Sequence, residues 1–243
     1  MSTREWLQRY DRQLKLLGLE GQERLRRARV MVVGVGGLGC AASLYLAAAG
    51  VGKILLVDPE RVELSNLNRQ VLYWARDLGG LKVEVAARKL TEFNPEISVD
   101  ALAIRVTPDN VEELVSRVDL VVDGLDNWEA RLLVNDACVR LGKPFIHAAV
   151  EGLRGEMMVV MPGKGPCLRC LVRRPPPNRA PLQVLGATPC LMAMMQVTEA
   201  VKIFTGVGEP AIGRLILYDG YQMRFSEVMV RRRPDCPSCG ARI

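Results

Sequence analysis

The sequence predicts an α/β protein: a parallel sheet with helices on both faces, extended in its C-terminal half by antiparallel strands. Three observations predict it. Short all-apolar runs alternate with helix-patterned segments over roughly the first 150 residues, the pattern of a parallel sheet with right-handed crossovers. A glycine-rich turn follows the first apolar run and opens a helix. Past residue 151 the alternation stops, and two strand-like runs are joined by Asp219-Gly220, a hairpin signal.

The elements follow in order. Residues 1–29 are polar and helix-favouring, with Leu7, Tyr10, Leu14 and Leu17 at helical spacing on one face. Gly18 and Gly21 interrupt, and a short helix resumes over 22–27. Residues 30–33 are all apolar, as in a strand buried on both sides. An Ala-rich helix runs to about Ala49, and a second buried strand covers 53–57. Residues 81–93 form a helix stopped by Asn94-Pro95. A strand is expected over 99–104, then a helix over 111–118 capped by Asp109 or Asn110. Strand 120–123, helix 129–141 and strand 144–148 complete the alternating half. Residues 155–161 read as a strand. Residues 172–189 carry five prolines and no periodicity, which predicts a mobile loop. An apolar helix over 190–204 and strands over 214–218 and 222–230 end the chain. No polar linker divides the halves, so the second half extends the same sheet.

Composition excludes several classes. Of 243 residues, 49% are hydrophobic and 25% charged, which excludes a disordered chain, a collagen and a small disulfide scaffold. Residues 30–52 are uncharged and nominally long enough to span a bilayer. Glycines at 34, 36, 37 and 39 would break such a helix near its start, so strand, turn and buried helix is the reading. The charged N-terminus has no apolar stretch of a secretory signal, and a cytoplasmic protein is expected. Lys and Arg number 33 against 27 Asp and Glu, a net +6. The clusters Arg24, Arg26, Arg27, Arg29 and Arg231, Arg232, Arg233 read as solvated surface; no dense basic stripe points to nucleic acid.

Gly34-Val35-Gly36-Gly37-Leu38-Gly39 fits G-x-G-x-x-G, and Asp58 ends the next strand. Such glycines let a phosphate approach the backbone at a helix N-terminus, and the acid suits ribose hydroxyls. The turn alone does not separate NAD from ATP. Asp58 is followed by a polar cluster with Asn66, Asn68, Arg69 and Gln70, where a forked guanidinium beside amides suits a phosphate. Lys82 opens a helix against its dipole, which an anion nearby would offset; an ordinary surface lysine is the plainer reading. Asp126 and Asn127 follow the strand 120–122 at the carboxyl edge of the sheet, where a carboxylate could hold Mg²⁺ on a triphosphate or cap the next helix. His147, the sole histidine, reads as a satisfied core residue, which disfavours a Ser-His-Asp hydrolase.

Seven cysteines in a cytosolic chain argue against a disulfide framework. Cys167-x-x-Cys170 and Cys236-x-x-Cys239 form two knuckles bounded by Gly and Pro, the pattern of a closed structural Zn²⁺ site that would staple the C-terminal tail to the body.

These features together resemble the ubiquitin-activating-enzyme-like superfamily, in particular its ThiF/MoeB/HesA adenylyltransferases. The resemblance runs nearly the whole length: Arg9-Tyr10-Asp11-Arg12-Gln13, the glycine turn, Asp58, Ser65-Asn66-Leu67-Asn68-Arg69-Gln70, Lys82, Asp126-Asn127 and both cysteine pairs. It implies ATP-dependent adenylation of the C-terminal Gly-Gly carboxylate of a small ubiquitin-like (β-grasp) sulfur-carrier protein. It further implies Gly37 at the phosphates, Asp58 on the ribose and residues 65–70 lining the nucleotide. Lys82 and Arg69 would stabilise the phosphates, Asp126 would carry Mg²⁺, and Arg12 would reach the ATP of a neighbouring subunit in a homodimer. The expected layout is a single adenylyltransferase domain over 1–243. Its parts are a helical arm 1–29, a nucleotide-binding half 30–150, and a carrier-binding half 151–243 with the zinc site and mobile loop.

One departure stands out. Many relatives carry a reactive cysteine in the mobile loop, at a position that falls near Arg179; residues 171–189 contain none. Cys190 reads as an apolar structural cysteine at the start of a buried helix. The expected reaction therefore stops at the acyl-adenylate, and sulfur comes from a separate donor protein. The rival readings are an NAD-dependent oxidoreductase with a structural zinc, a non-catalytic nucleotide-binding zinc scaffold, and a relative acting on a tRNA base. The sequence does not name the carrier.

Overall fold

A computed structural model describes residues 3–175 and 183–240. Helices α1 (Thr3–Arg9) and α2 (Asp11–Arg27) form the N-terminal arm, and α2 is broken at Gly18, whose φ of 68° is left-handed. Gly21, expected to interrupt as well, stays helical and packs closely on Leu17 and Thr205. The alternating half is β1 (Arg29–Val33), α3 (Gly37–Ala49), β2 (Lys53–Val57), α4 (Lys82–Phe93), β3 (Ser98–Leu102), α5 (Val111–Ser116), β4 (Leu120–Asp123), α6 (Trp128–Arg140) and β5 (Phe145–Glu151). The second half is β6 (Arg154–Val160), a single helical turn α7 (Leu168–Leu171), α8 (Ala187–Thr205), β7 (Arg214–Asp219) and β8 (Arg224–Met229).

All eight strands form one sheet in the order β3-β2-β1-β4-β5-β6-β7-β8. The first five are parallel; β6, β7 and β8 add antiparallel. The sequence expectation of a parallel sheet extended by antiparallel strands is met. Alternate strand residues explain the two layers. Val30, Val32, Ile54 and Leu56 face a cluster with α3, α4 and α8, whereas Met31, Val33, Leu55 and Val57 face α5 and α6. These eight side chains are at most 2% exposed, each contributing about 1.5–3 kcal/mol of burial. A charge at position 32 would therefore face an apolar core on every side.

The chain order reverses between β1 and β4. In α/β sheets, ligands bind at the carboxyl ends of the strands flanking such a switch. Val33 is in register with Val57 on one side and Asp123 on the other, so the segments after β1, β2 and β4 leave the sheet together.

Several expectations need correction. Asn110 holds the N-cap position of α5, but its side-chain oxygen accepts from Thr107 N–H rather than capping the helix; Asp109 does not cap it either. Strand β3 stops at Leu102, leaving Ile104 outside. The hairpin turn covers residues 220–223, since Asp219 still pairs with Arg224, and Met223 takes φ 51°. Residues 187–189, expected in the loop, form the first turn of α8; Pro189 fits there because first-turn N–H groups have no helical partner. Much of the expected mobile loop, with Arg179, lies outside the described residues. Among the described residues, no helix is long and apolar enough to cross a membrane. The early arginines are mostly paired: Arg24 with Glu20, Arg26 with Glu23, Arg29 with Asp119.

Candidate nucleotide site and metal centre

The turn after β1 is built by close backbone approach. Gly34 takes φ 83°, and a Cβ there would lie 2.5 Å from the Gly124 carbonyl oxygen. A Cβ on Gly39 would lie 1.9 Å from the Gly34 carbonyl oxygen, and one on Gly124 would lie 2.1 Å from it. Only glycine permits the β1 and β4 exits to touch in this way. Helix α3 then starts at Gly37 with Gly36 as its cap residue and no side chain capping it. Its first-turn N–H groups are therefore left for a ligand, with the positive end of the helix behind them.

Asp58 is 6% exposed and sits under the turn. Its Oδ2 accepts from Val35 N–H at 2.7 Å and its Oδ1 from Glu60 N–H at 2.8 Å. Each oxygen keeps a lone pair for a ribose hydroxyl. The Val35 carbonyl is held as well, by the Tyr73 hydroxyl at 2.9 Å and Cys40 Sγ at 3.3 Å. Burial pushes the Cys40 thiol up to about 12, so it acts as a donor and not as a nucleophile.

The stretch 65–70 packs beside the same turn. Leu64–Asn66 form a 3₁₀ turn closed by Glu63 N–H donating to the Asn66 side-chain oxygen at 3.0 Å. Asn66 is buried, and its side chain holds the loop in shape. Ser65 and Asn68 are exposed, while Leu67 and Arg69 are half-buried. Arg69 Nη1 donates to Ser65 O at 2.7 Å and to Asn68 Oδ1 at 3.1 Å. Its Cγ lies 3.6 Å from where a Gly37 Cβ would sit, which places the arginine against the glycine turn. Pro189, from the start of α8, approaches the same point at 3.2 Å.

Lys82 is the first residue of α4 and only 2% exposed. The surface-lysine reading fails. Its Nζ meets Glu60 Oε2 at 2.5 Å, and Lys82 N–H donates to Glu60 O at 2.9 Å. The lysine is therefore tethered to the loop that leaves Asp58. Glu60, two residues past Asp58, carries no signal of this role in the sequence.

Asp126 is exposed, two residues beyond Gly124, and accepts from Asn127 Nδ2 at 3.2 Å. Asn127, not Asp126, caps α6 by accepting from Ala130 N–H at 2.9 Å, which leaves the Asp126 carboxylate outward. Beneath this loop lies a charged cluster that sequence reasoning missed. Asp123 accepts from Leu125 N–H at 2.9 Å, Arg131 Nε at 3.0 Å and His147 Nδ1 at 2.7 Å. Arg131 also donates to the Leu125 carbonyl. The other His147 nitrogen meets Glu156 at 3.4 Å. Burial alone would lower the His147 pKa, but its bonds to Asp123 and Glu156 outweigh this and raise it. The reading of His147 as a satisfied buried residue holds.

The geometry thus joins the glycine turn, Asp58, Arg69 and Lys82 at one end of the sheet, with Asp126 on the adjoining loop. Arg12 is exposed on α2, and no hydrogen bond or ion pair joins it to this group among the described residues. The site fits a nucleotide by its own chemistry: an uncapped helix start, a cradle that admits only glycine, and an orphaned acceptor. The orphan is Gln70 Oε1, buried and without a hydrogen-bond partner among the described residues, in a side chain that borders Gly36.

The four cysteines converge on the opposite layer, in the core that includes α6. Their sulfurs lie within 4.8 Å of one another, with Cys167–Cys236 at 3.6 Å and Cys170–Cys239 at 3.4 Å. A tetrahedral zinc with sulfurs at about 2.3 Å needs edges of about 3.8 Å. The four thiolates could hold zinc in a closed site. Burial raises the Cys236 thiol pKa, yet backbone bonds at Cys239 and Ser238 outweigh it and bring it down to about 7, favouring thiolate. Asp136 of α6 fastens the knuckles by pairing with Arg169 at 2.7 Å and bonding to Ser238.

Comparison with known proteins adds the family. The family model described as ThiF matches residues 10–238. A sulfur carrier protein adenylyltransferase of Thermus thermophilus is 45% identical, over 98% of this chain and 92% of that protein. A SAMP-activating enzyme E1 of Haloferax volcanii is 44% identical, over 96% and 89%. The adenylyltransferase and sulfurtransferase MOCS3 of Bos taurus is 44% identical over 99% of this chain, which spans about half (54%) of that protein. Among solved structures, E. coli MccB with ATP superposes with a TM-score of 0.87 at 27% identity, over 96% of this chain and 75% of that one. With a match over most of its length and close relatives covered nearly end to end, this chain belongs to the ThiF family.

Proposed function

We propose that the protein adenylates the C-terminal Gly-Gly carboxylate of a small ubiquitin-like sulfur-carrier protein, using ATP and releasing pyrophosphate. The observation that carries this reading is the pairing of a glycine turn and Asp58 with two cations, Arg69 and buried Lys82, at the switch point of the sheet. A hydride-transfer site has no use for that charge beyond the phosphates of its cofactor. Nucleotidyl transfer from a triphosphate does, and the names of the relatives point the same way.

The chemistry needs no general base. The carrier carboxylate is ionised at neutral pH. One oxygen attacks the α-phosphorus, the bond to the bridging oxygen breaks, and pyrophosphate leaves with the electron pair. The products are an acyl-adenylate and pyrophosphate. Catalysis is then positioning plus charge neutralisation. In this reading Gly34, Gly36, Gly37 and Gly39 admit the phosphates, Asp58 takes the ribose, and residues 65–70 with Asn127 line the nucleotide. Arg69 and Lys82 neutralise the phosphates, with Lys82 exchanging Glu60 for a phosphate oxygen. Asp126 would hold Mg²⁺, which supplies further charge neutralisation on the triphosphate. Cys167, Cys170, Cys236 and Cys239 would hold zinc, which supplies a structural cross-link and no chemistry.

The finer points belong to the same proposal. The chain acts as one adenylyltransferase domain, with nucleotide bound by residues 30–150 and carrier by 151–243. It works in the cytoplasm as a homodimer in which Arg12 reaches the nucleotide of the neighbouring subunit. Cys190 is half-buried within the first turn of α8 and burial raises its thiol pKa, which disfavours the thiolate; in this reading the reaction stops at the acyl-adenylate and sulfur comes from another protein. The test is to incubate the protein with Mg-ATP and a Gly-Gly-ended β-grasp carrier and weigh the carrier by mass spectrometry. The reading predicts gain of one AMP, dependent on the terminal carboxylate. Stabilisation by NAD and not by Mg-ATP, with an unmodified carrier, would overturn it.

A further inference from the structure

The two peptide planes that flank Val35 are each held by side chains, and two of these, Tyr73 and Cys40, have no assigned role in the site. Below it, Val35 N–H donates to Asp58; above it, its carbonyl accepts from both the Tyr73 hydroxyl and the Cys40 thiol. One donor would satisfy a buried carbonyl. Here two are supplied, from different places: Cys40 from within α3, and Tyr73 from the segment that follows the 65–70 stretch. Tyr73 is 3% exposed and Cys40 is fully buried, so neither bond competes with water.

The position of Val35 matters. It lies between Gly34 and Gly36, in a turn whose four glycines impose little restraint of their own. The next amides along the chain are the uncapped N–H groups at the start of α3. The Gly34–Val35 peptide is held at its N–H and the Val35–Gly36 peptide at its C=O, so neither plane rotates without breaking buried bonds, and the direction of the Gly36 N–H and of the amides after it is set before any ligand arrives. Gln70, three residues before Tyr73, borders Gly36 from the same segment.

We propose that Tyr73 is a positioning residue for nucleotide binding: its hydroxyl, assisted by the Cys40 thiol, locks the Val35–Gly36 peptide so that the free amides of the glycine turn face the phosphates. This rests on the reading of the turn as a nucleotide site. The gain is preorganisation, which shows in affinity because the ordering cost is met before binding.

The experiment is calorimetric titration of Mg-ATP into the wild-type protein and Tyr73→Phe, with carrier adenylation measured over a range of ATP. The expected result is a three- to tenfold weaker Kd in Tyr73→Phe, with the loss falling on KM for ATP and not on kcat. A purely structural role would lower the folded fraction and kcat with Kd unmoved, and would overturn the proposal. Should Tyr73→Phe fail to fold, a second pair decides. Cys40→Ser keeps a donor to the same carbonyl and is expected to bind Mg-ATP at least threefold tighter than Cys40→Ala; equal affinities would overturn the proposal. Wild-type protein that binds no Mg-ATP refutes the nucleotide site itself, whereas tight wild-type binding with unaltered variants refutes only the lock.

Discussion

Asp126 bears the sharpest single-residue prediction. Its carboxylate is exposed and capping is done by Asn127, so Asp126→Ala removes a charge without removing a structural bond to the helix. Carrier-dependent ATP–pyrophosphate exchange is expected to fall by at least about a hundredfold, the scale of losing one group that stabilises transition-state charge. The urea midpoint and zinc content should stay at wild-type values; retained exchange would show the metal has been misplaced. At this scale the sequence was readable where chemistry forces residue type. The glycines were readable because Gly34, Gly39 and Gly124 touch backbone to backbone. Lys82 was readable only as an anomaly, a cation at a helix start, and its burial against Glu60 was not. Tyr73 was not readable at all, since a tyrosine amid apolar residues gives no sign of the carbonyl it will meet.

Among the elements, β4, α6, β5 and β6 are joined by the cluster of Asp123, Arg131, His147 and Glu156. His147 has a raised pKa on folding, because its bonds to the two carboxylates outweigh its burial and the nearby Arg131. Its contribution to stability is therefore present in full below the unfolded value of about 6.5 and is lost as pH rises through the folded value. Urea unfolding from pH 6 to 9 should show stability falling across that window, and His147→Gln should flatten the fall. An identical slope in the variant would contradict this. Periodicity located nearly every helix and strand, because buried parallel strands are uniformly apolar. It missed α7, whose single turn leaves no period to detect, and misplaced the start of α8, where Pro189 looks like a loop residue but suits a first helical turn. The Asp123–His147 contact joins residues 24 apart on neighbouring strands, a relation that only the sheet order reveals.

For the molecule as a whole, the sheet puts the proposed nucleotide site at one end and the cysteine knuckles on the α6 layer. Cys236 and Cys239 lie beyond β8 and are tied to Cys167 and Cys170 across 69 residues. Stripping the metal with a chelator should free that tail. A loss of about 3 kcal/mol would lower the thermal midpoint by about 6–12 °C, and readdition of Zn²⁺ should restore it; an unchanged midpoint with zinc demonstrably absent would remove the staple from the account. The fold class and the two functional centres were legible because both depend on spacing that the chain carries locally. Whole-molecule properties such as the partner and the neighbouring subunit depend on surfaces that no spacing records. The central claim is that this site activates a protein tail with ATP, and pyrophosphate exchange measures that step directly. With Mg-ATP, labelled pyrophosphate and a Gly-Gly-ended carrier, label is expected to enter ATP, and to do so only while the carrier keeps its terminal glycine carboxylate. Exchange that proceeds without any carrier, or no exchange with any Gly-Gly-ended carrier despite bound ATP, would contradict the account.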